Sequence, residues 1–418
     1  MTEAGSTLVL MSYVRWKRAR YAVPAAVLAA VGLGALVPTL SGASAPPDLP
    51  AQTAQQLVAD MTAAKTPQLS GALTWTANLG LSDLSSLEQE SGQGGGSGFD
   101  PLTLLSGTYH MNVWLGTKAE HIALIEPSDQ EVDIVRNHNQ AWIWDSSNQT
   151  VLHLIGANPT SKSSGGTAGL GAGLGAGSGL SALPLTPMEL ASRLLGHLST
   201  STSVSVGSPL YVAGQPAYQL MVGPKGAAGS SIRDIGVAIG ASGPLLGVPL
   251  QVAIYTNGQA DPALELGFTG QLTTGVPPAS KLTFTAPPGS TVVTRDLGAG
   301  SSSSPLGTSI PLIPFTRTYQ AAGTTSSTGP SSALGLGLGK VTRTGKGWAT
   351  VVSGSSGPLF GSIADGPLAA VTTVVTVHGQ QGRLFSTELL NVLIMQNGHY
   401  YAGFVTPSVL EAAASASS

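Results

Sequence analysis

The sequence predicts an α+β protein: a curved antiparallel sheet forming an unclosed β-barrel with a helical lid, a small C-terminal α+β unit, and an N-terminal transmembrane or signal helix. Three observations point there. Gly is abundant (55 of 418 residues) while charged residues are only 9%, a balance that suits strands joined by solvated loops better than a helical bundle. Long segments alternate apolar and polar residues at period two. Segments of helical period occur before the strands and again midway, an order in which one sheet wraps helices on one side.

The N-terminus carries the export signal. Arg15, Lys17, Arg18 and Arg20 precede an uncharged apolar run from Tyr21 to Leu40, close to the ~20 residues a bilayer-spanning helix needs. Residues 1–20 are therefore expected to be a cytoplasmic basic N-terminus and 21–40 a transmembrane anchor or signal segment, with the rest in the cell envelope, or secreted if the segment is cleaved. Ala43-Ser44-Ala45 resembles a signal-peptidase site, but Pro46 hinders cutting directly after it, which favours a retained anchor.

Residues 48–296 read as the main domain. Asp48-Leu49-Pro50 opens a helix with Ala54, Leu57, Val58 and Met61 on one stripe, closed by Thr66-Pro67. Leu69 to Leu79 alternates as a long strand, and strands follow at Tyr109 to Leu115, Ala119 to Ile125, Glu131 to Arg136, Ala141 to Trp144 and Val151 to Ile155. Hairpin-length connectors such as Asn137-His138-Asn139 make this an antiparallel meander. Gln93 to Gly98 and the Gly/Ala/Ser/Leu run from Gly165 to Leu183 read as loops. A second helix has Thr186 as N-cap, Pro187 as its first residue and Glu189 as capping-box partner, with Leu190, Ala191, Leu194, Leu195 and Leu198 as its apolar stripe. Strands resume from Ser203 to Val206 and run to Lys281 to Thr285, where Pro287-Pro288-Gly289 ends the domain.

Residues 297–339 are a Ser/Gly/Pro-rich linker with one ordered stretch expected around Ile310 to Tyr319. Residues 340–414 form the small C-terminal domain. It has strands at Trp348 to Val352 and Val371 to Val377, a hairpin of Leu389 to Met395 with Tyr400 to Val405 about Asn397-Gly398, and a last helix capped by Thr406-Pro407.

The chemistry-bearing residues argue against catalysis. The chain has no cysteine, which removes disulfides, thiolate sites and a lipid-modified Cys. A net charge of −3 with no basic stripe gives no footprint for nucleic acid. No nucleotide-binding glycine loop, zinc-protease motif or nucleophile elbow occurs, so the expectation is no enzyme, no cofactor and no metal. His110, His121, His138, His153, His197, His378 and His399 are scattered and read as ordinary imidazoles. Asp129, Glu131 and Asp133 share one strand face, expected to be the solvated one. Arg136 is expected to stabilise the sheet edge, the other reading being contact with a lipid headgroup.

A family resemblance rests on several short motifs in order. Ala54-Gln55-Gln56-Leu57-Val58 leads into Leu69-Ser70-Gly71, and Val135-Arg136-Asn137 precedes Ala141-Trp142-Ile143-Trp144. Thr186 to Ala191, Val212 to Leu220 and Phe284-Thr285-Ala286-Pro287-Pro288-Gly289 follow. Together these resemble the LolA/RseB-type lipoprotein carriers, in particular their actinobacterial members, over roughly residues 50–295. Gly382-Arg383-Leu384-Phe385 and Gly403 to Pro407 are similar to the tail of the same members. The resemblance implies an apolar half-barrel cavity binding lipids or lipoprotein acyl chains, as a carrier or envelope lipid handler. The cavity-lining residues it points to are Leu73, Trp75, Met111, Val113, Trp142, Trp144, Leu194 and Leu198. The alternative is an RseB-like (MucB-like) regulatory sensor contacting an anti-sigma factor or other membrane partner, and a second alternative is a structural envelope protein filled by its own side chains. The expected partners are thus a lipid or acylated lipoprotein, the membrane through residues 21–40, and a membrane regulatory protein.

Overall fold

The computed structural model describes residues 45–65, 67–80, 104, 106–125, 130–156, 186–195, 201–226, 229–296, 342–355 and 371–417. The expected anchor at 21–40, the loops at 93–98 and 165–183, the linker at 297–339 and Leu198 lie outside these residues, as does the side chain of Leu194. Among the described residues no helix is long and apolar enough to cross a membrane. Pro46–Ser418 forms one compact unit.

Helix α1 spans Ala54–Ala63 and starts later than the sequence suggested. Its boundary is set by a reciprocal cap: the Gln56 amide donates to Thr53 Oγ1 (3.2 Å) and the Thr53 amide donates to Gln56 Oε1 (2.8 Å). Ahead of it, the Pro50 carbonyl accepts the Tyr218 hydroxyl at 2.9 Å, which holds that stretch out of the helix. Six strands follow as a meander: β1 Leu69–Asn78, β2 Ser106–Leu115, β3 Ala119–Ile125, β4 Glu131–Asn137, β5 Gln140–Asp145 and β6 Thr150–Ile155. After helix α2, Pro187–Leu195, come β7 Thr202–Val206, β8 Leu210–Val212, β9 Gln215–Pro224, β10 Ile232–Gly240, β11 Pro249–Thr256, β12 Leu264–Thr274 and β13 Thr291–Asp296.

These strands make one 13-stranded sheet in the order β13-β6-β5-β4-β3-β2-β1-β12-β11-β10-β9-β7, with β8 also on β9. The seam is β1 against β12, antiparallel, and the sheet ends in two edges rather than closing. It is also mixed, because β13 runs parallel to β6. This corrects two readings. The Pro287-Pro288-Gly289 stretch does not end the domain, since β13 returns along the sheet edge. Lys281 to Thr285 is not a strand: Ala279–Lys281 is a single helical turn and the chain then crosses the sheet without pairing. Its period-two pattern arises because Leu282 and Phe284 face protein while Lys281, Thr283 and Thr285 face solvent.

Register fixes which side chains share a face. On the inner face one row runs Tyr109, Trp75, Leu266, Val252, Val237, Leu220, Val206, and the next runs Ala77, Leu264, Ile254, Ile235, Val222, Val204. Leu57 of α1 and Leu190 and Ala191 of α2 are buried in the same core, so the core is helix against sheet. Gly247, at φ +75°, brings the β10–β11 turn against α1, where a Cβ would overlap the Asp60 carbonyl.

A second sheet has the order β14-β15-β19-β18-β17-β16, from β14 Thr342–Thr344, β15 Val351–Ser355, β16 Thr372–Val377, β17 Gln380–Ser386, β18 Asn391–Met395 and β19 His399–Gly403. Helix α3, Pro407–Ser415, buries Leu410 and Ala414 against it. The Asn397-Gly398 hairpin is present, whereas β17, absent from the sequence reading, is set by a second tight turn at His378-Gly379 (φ +48° and +78°). This sheet is bonded to the large one. Ser230 bridges Val405, the Ser231 amide donates to the Phe404 carbonyl (3.0 Å) and the Glu388 amide to the Leu79 carbonyl (2.9 Å). Asn391 Nδ2 donates to the Val405 carbonyl at 2.7 Å, and Leu389, Trp348 and Phe404 pack on the main core.

Gly247→Ala should undock the C-terminal end of α1 and lower stability by about 1–3 kcal/mol, because it combines overlap with a backbone conformation that L side chains rarely adopt. A urea-melt midpoint equal to wild type would show that α1 adapts without loss.

Candidate functional site

The expected cavity wall divides between the two faces of the sheet. Leu73, Trp75, Met111 and Val113 meet on the inner face, where Leu73 pairs Met111 and Gly71 pairs Val113. Their exposures are 0%, 2%, 2% and 0%, and the Trp75 indole donates to the Leu104 carbonyl at 2.8 Å. They belong to a filled core, each touching neighbours on the sheet or the helices above it. Trp142 and Trp144 do not join them. They alternate with Ala141 and Ile143, the inner residues on either side of Trp142, and so point to the opposite face.

One charged group is set into the inner face. Leu69, Leu115, Glu120, Arg136, Ala141 and Leu154 form a cross-strand row. Within it Arg136 pairs with Glu120, and α2 brings the Glu189 carboxylate to 4.0 Å of the same guanidinium. Thr186 caps α2, accepting from the Glu189 amide at 3.2 Å, so the cap fixes where that carboxylate lies. Arg136 is thus no edge residue; it is buried between two acids, and among the described residues its Nε has no partner. Burial holds the Glu120 carboxyl above its ordinary value of 4.5, with Arg136 pulling the other way and Glu189 adding to the rise.

The outer face of β2 to β6 carries a different row: Trp114, His121, Val135, Trp142, His153. Trp114 stacks on His121 at 4.8 Å and Trp142 on His153 at 4.9 Å, nearly parallel. Over this row lies the unpaired strap, residues 279–285. Lys281 Nζ stands 4.8 Å from the Trp114 ring, Phe284 is 6.2 Å from Trp142, and Asn137 Nδ2 donates to the Leu282 carbonyl at 3.3 Å. Asp133 and Glu131 are not on a solvated face: Asp133 Oδ1 lies 3.0 Å from His121 Nε2, and Glu131 is half-buried. Asp129 lies outside the described residues. Sequence reading missed this row, although the two-residue turn at His138-Asn139 already puts Trp142 opposite Val135.

Two open grooves lie among the described residues. One of about 620 Å³ lies at the end of α1 between Lys65, Gln68, Pro244 and Leu246. One of about 280 Å³ lies where the two sheets meet, lined by Leu79, Ser231, Asn257, Glu388 and Asn391. Among the described residues no group of three His, Cys, Asp or Glu could hold a metal ion.

No family model matches this chain, and no curated protein is significantly similar to it. Among solved structures, a chain of the Pseudomonas aeruginosa MucA/MucB complex is 14% identical over 86% of this chain and 96% of its own length, with a TM-score of 0.36. A LolA superfamily protein of Nitrosomonas europaea is 11% identical over 56% and 99%, with a TM-score of 0.22. An uncharacterized conserved protein of Thermus thermophilus is 8% identical over 58% and 99%, with a TM-score of 0.30. Scores of this size assign neither family nor activity, which have to come from the residues themselves.

Two outcomes test the inner face. Leu73→Ala should cost about 2–5 kcal/mol in urea unfolding, the range for a packed core leucine; a cost below about 1 kcal/mol would mean the side chain borders empty space. Arg136→Ala should cost about 3–5 kcal/mol by stranding two buried carboxylates. Because the folded state binds the Glu120 proton more tightly than the unfolded chain, its contribution to stability is larger at pH below 4.5 and is lost as pH rises through the folded value. The stability advantage of wild type over Glu120→Gln should therefore be largest below pH 4.5 and fall as pH is raised towards about 8; a difference constant over that whole range would contradict this assignment.

Proposed function

We propose that this chain is a non-catalytic binding protein of the cell envelope, anchored by residues 21–40, that acts on a membrane protein partner in the manner of an RseB-like regulatory module. The observation that carries this reading is the filled inner face. A carrier needs dry empty volume for an acyl chain, yet Leu73, Trp75, Met111 and Val113 have no more than 2% exposure and pack within the protein's own core. The surfaces left to a partner are the sheet edge at β7, where Val204 and Val206 continue the apolar rows at 37% and 40% exposure, and the outer face of β2 to β6. An open edge strand without charge is suited to pairing with an extended segment of another protein.

A second reading, lipid or lipoprotein acyl binding, keeps one supporting observation. The inner face is apolar along its rows from β2 to β7, and α1 and α2 bury Leu57, Leu190 and Ala191 in the same core, so a displacement of these helices would open apolar surface to a long chain. Each buried methylene contributes ~0.8 kcal/mol, which is enough to drive such an opening for a long chain.

Native mass spectrometry with lipid extraction on residues 46–418, purified from a membrane-containing host, separates the two. The apo mass is expected; co-purifying phospholipid or acylated species would overturn the regulatory reading in favour of the carrier. A photo-crosslinking residue at Val206 of the full chain in cells should give a discrete protein adduct, and its absence under conditions where the chain is folded would count equally against it.

A further inference from the structure

The strap over the outer face is held by a histidine with acceptors on both sides. His121 Nδ1 lies 2.9 Å from the Lys281 carbonyl and His121 Nε2 lies 3.0 Å from Asp133 Oδ1. A carbonyl oxygen and a carboxylate oxygen only accept. Neutral imidazole carries one N–H, so in either tautomer one ring nitrogen would turn a lone pair towards an oxygen; imidazolium donates to both. We propose that His121 is a pH-operated latch, fastening the strap formed by residues 279–285 to the sheet as the imidazolium and releasing it on deprotonation.

The charges facing the latch come from two elements. From β4, Asp133 bonds His121 directly and Glu131 lies close enough to feel it; from the strap, Lys281 stands over Trp114, the ring on which His121 stacks. β2 contributes that uncharged indole. With both acids ionised, the two cations Lys281 and imidazolium balance Asp133 and Glu131, and removing the His121 proton leaves the cluster one charge negative beneath the strap. Burial, followed by Asp133, holds the Glu131 carboxyl above its ordinary value while His121 and Lys281 pull it back, in keeping with acids that depend on nearby cations.

Release has a defined consequence. The strap covers Trp114 and Trp142 and continues through Pro287-Pro288-Gly289 into β13, the parallel edge strand whose Val292 is 52% exposed. Lifting it uncovers an aromatic surface and slackens the chain leading to that edge. The sign follows from the geometry: the imidazolium donates to both acceptors and the neutral ring to only one, so the docked strap is held by one more hydrogen bond on the acid side.

Hydrogen exchange on the full chain in detergent tests this, read at Lys281 and Leu282, whose amides bond the Pro278 and Ala279 carbonyls. After correction for intrinsic exchange, protection there should fall by about tenfold or more between about pH 5.5 and pH 8, the effect of losing a hydrogen bond to a charged group. Amides of β10 and β11 should hold constant. His121→Phe keeps the stacking partner but removes both donors and should leave the strap open at both pH values. Asp133→Asn serves if that variant does not fold, and should flatten the pH dependence. Strap protection that is unchanged with pH in the wild type, or that falls only in step with β10 and β11, would overturn the latch.

Discussion

The pairing of β1 with β12 is the constraint on which the molecule depends. Residues nearly two hundred positions apart, such as Trp75 and Leu266, face each other across it. One meander lies on each side of this seam. Joined, they present unbroken inner rows from Tyr109 to Val206, over which α1 and α2 lie. The same pairing orients the outer face, since each residue pair that turns inward at the seam turns its neighbours out.

The two faces treat polar groups differently, and this difference bears on function. Inside, Arg136 and its two carboxylates sit where an apolar residue would pack as well; such a group stabilises little by itself but penalises any arrangement in which α2 is displaced by a slide or rotation. Outside, charged and aromatic groups are half-buried beneath a short strap held to the sheet by side-chain contacts rather than by ladder bonds.

Element type was largely legible in the sequence, because strands such as Leu69–Asn78 and the Pro-initiated helices announce themselves by period and cap. Three features were not. The strap imitates a strand because alternation reports only which side chains find protein, not whether the backbone is paired. β13 follows a Pro-Pro-Gly stretch that locally reads as a terminus, and only the distant edge of β6 gives it a partner. The division of the tryptophans between faces depends on register across several hairpins, so Trp75 and Trp142, similar in composition of surroundings, end on opposite sides. The Glu120–Arg136–Glu189 group was illegible for the same reason, one member lying on a helix that sequence alone cannot dock.

The docking of the second sheet also has a consequence in time. The Leu79 carbonyl just past β1 and the Ser231 amide before β10 are bonded by Glu388 and Phe404, close to the end of the chain. A chain synthesised from its N-terminus can form its meanders early, but contacts of such long sequence separation close slowly. Until the last residues have emerged, the surface that receives Leu389, Trp348 and Phe404 stays uncovered. That interval is when the protein is most open to misassociation, and any chaperone that escorts it would act there.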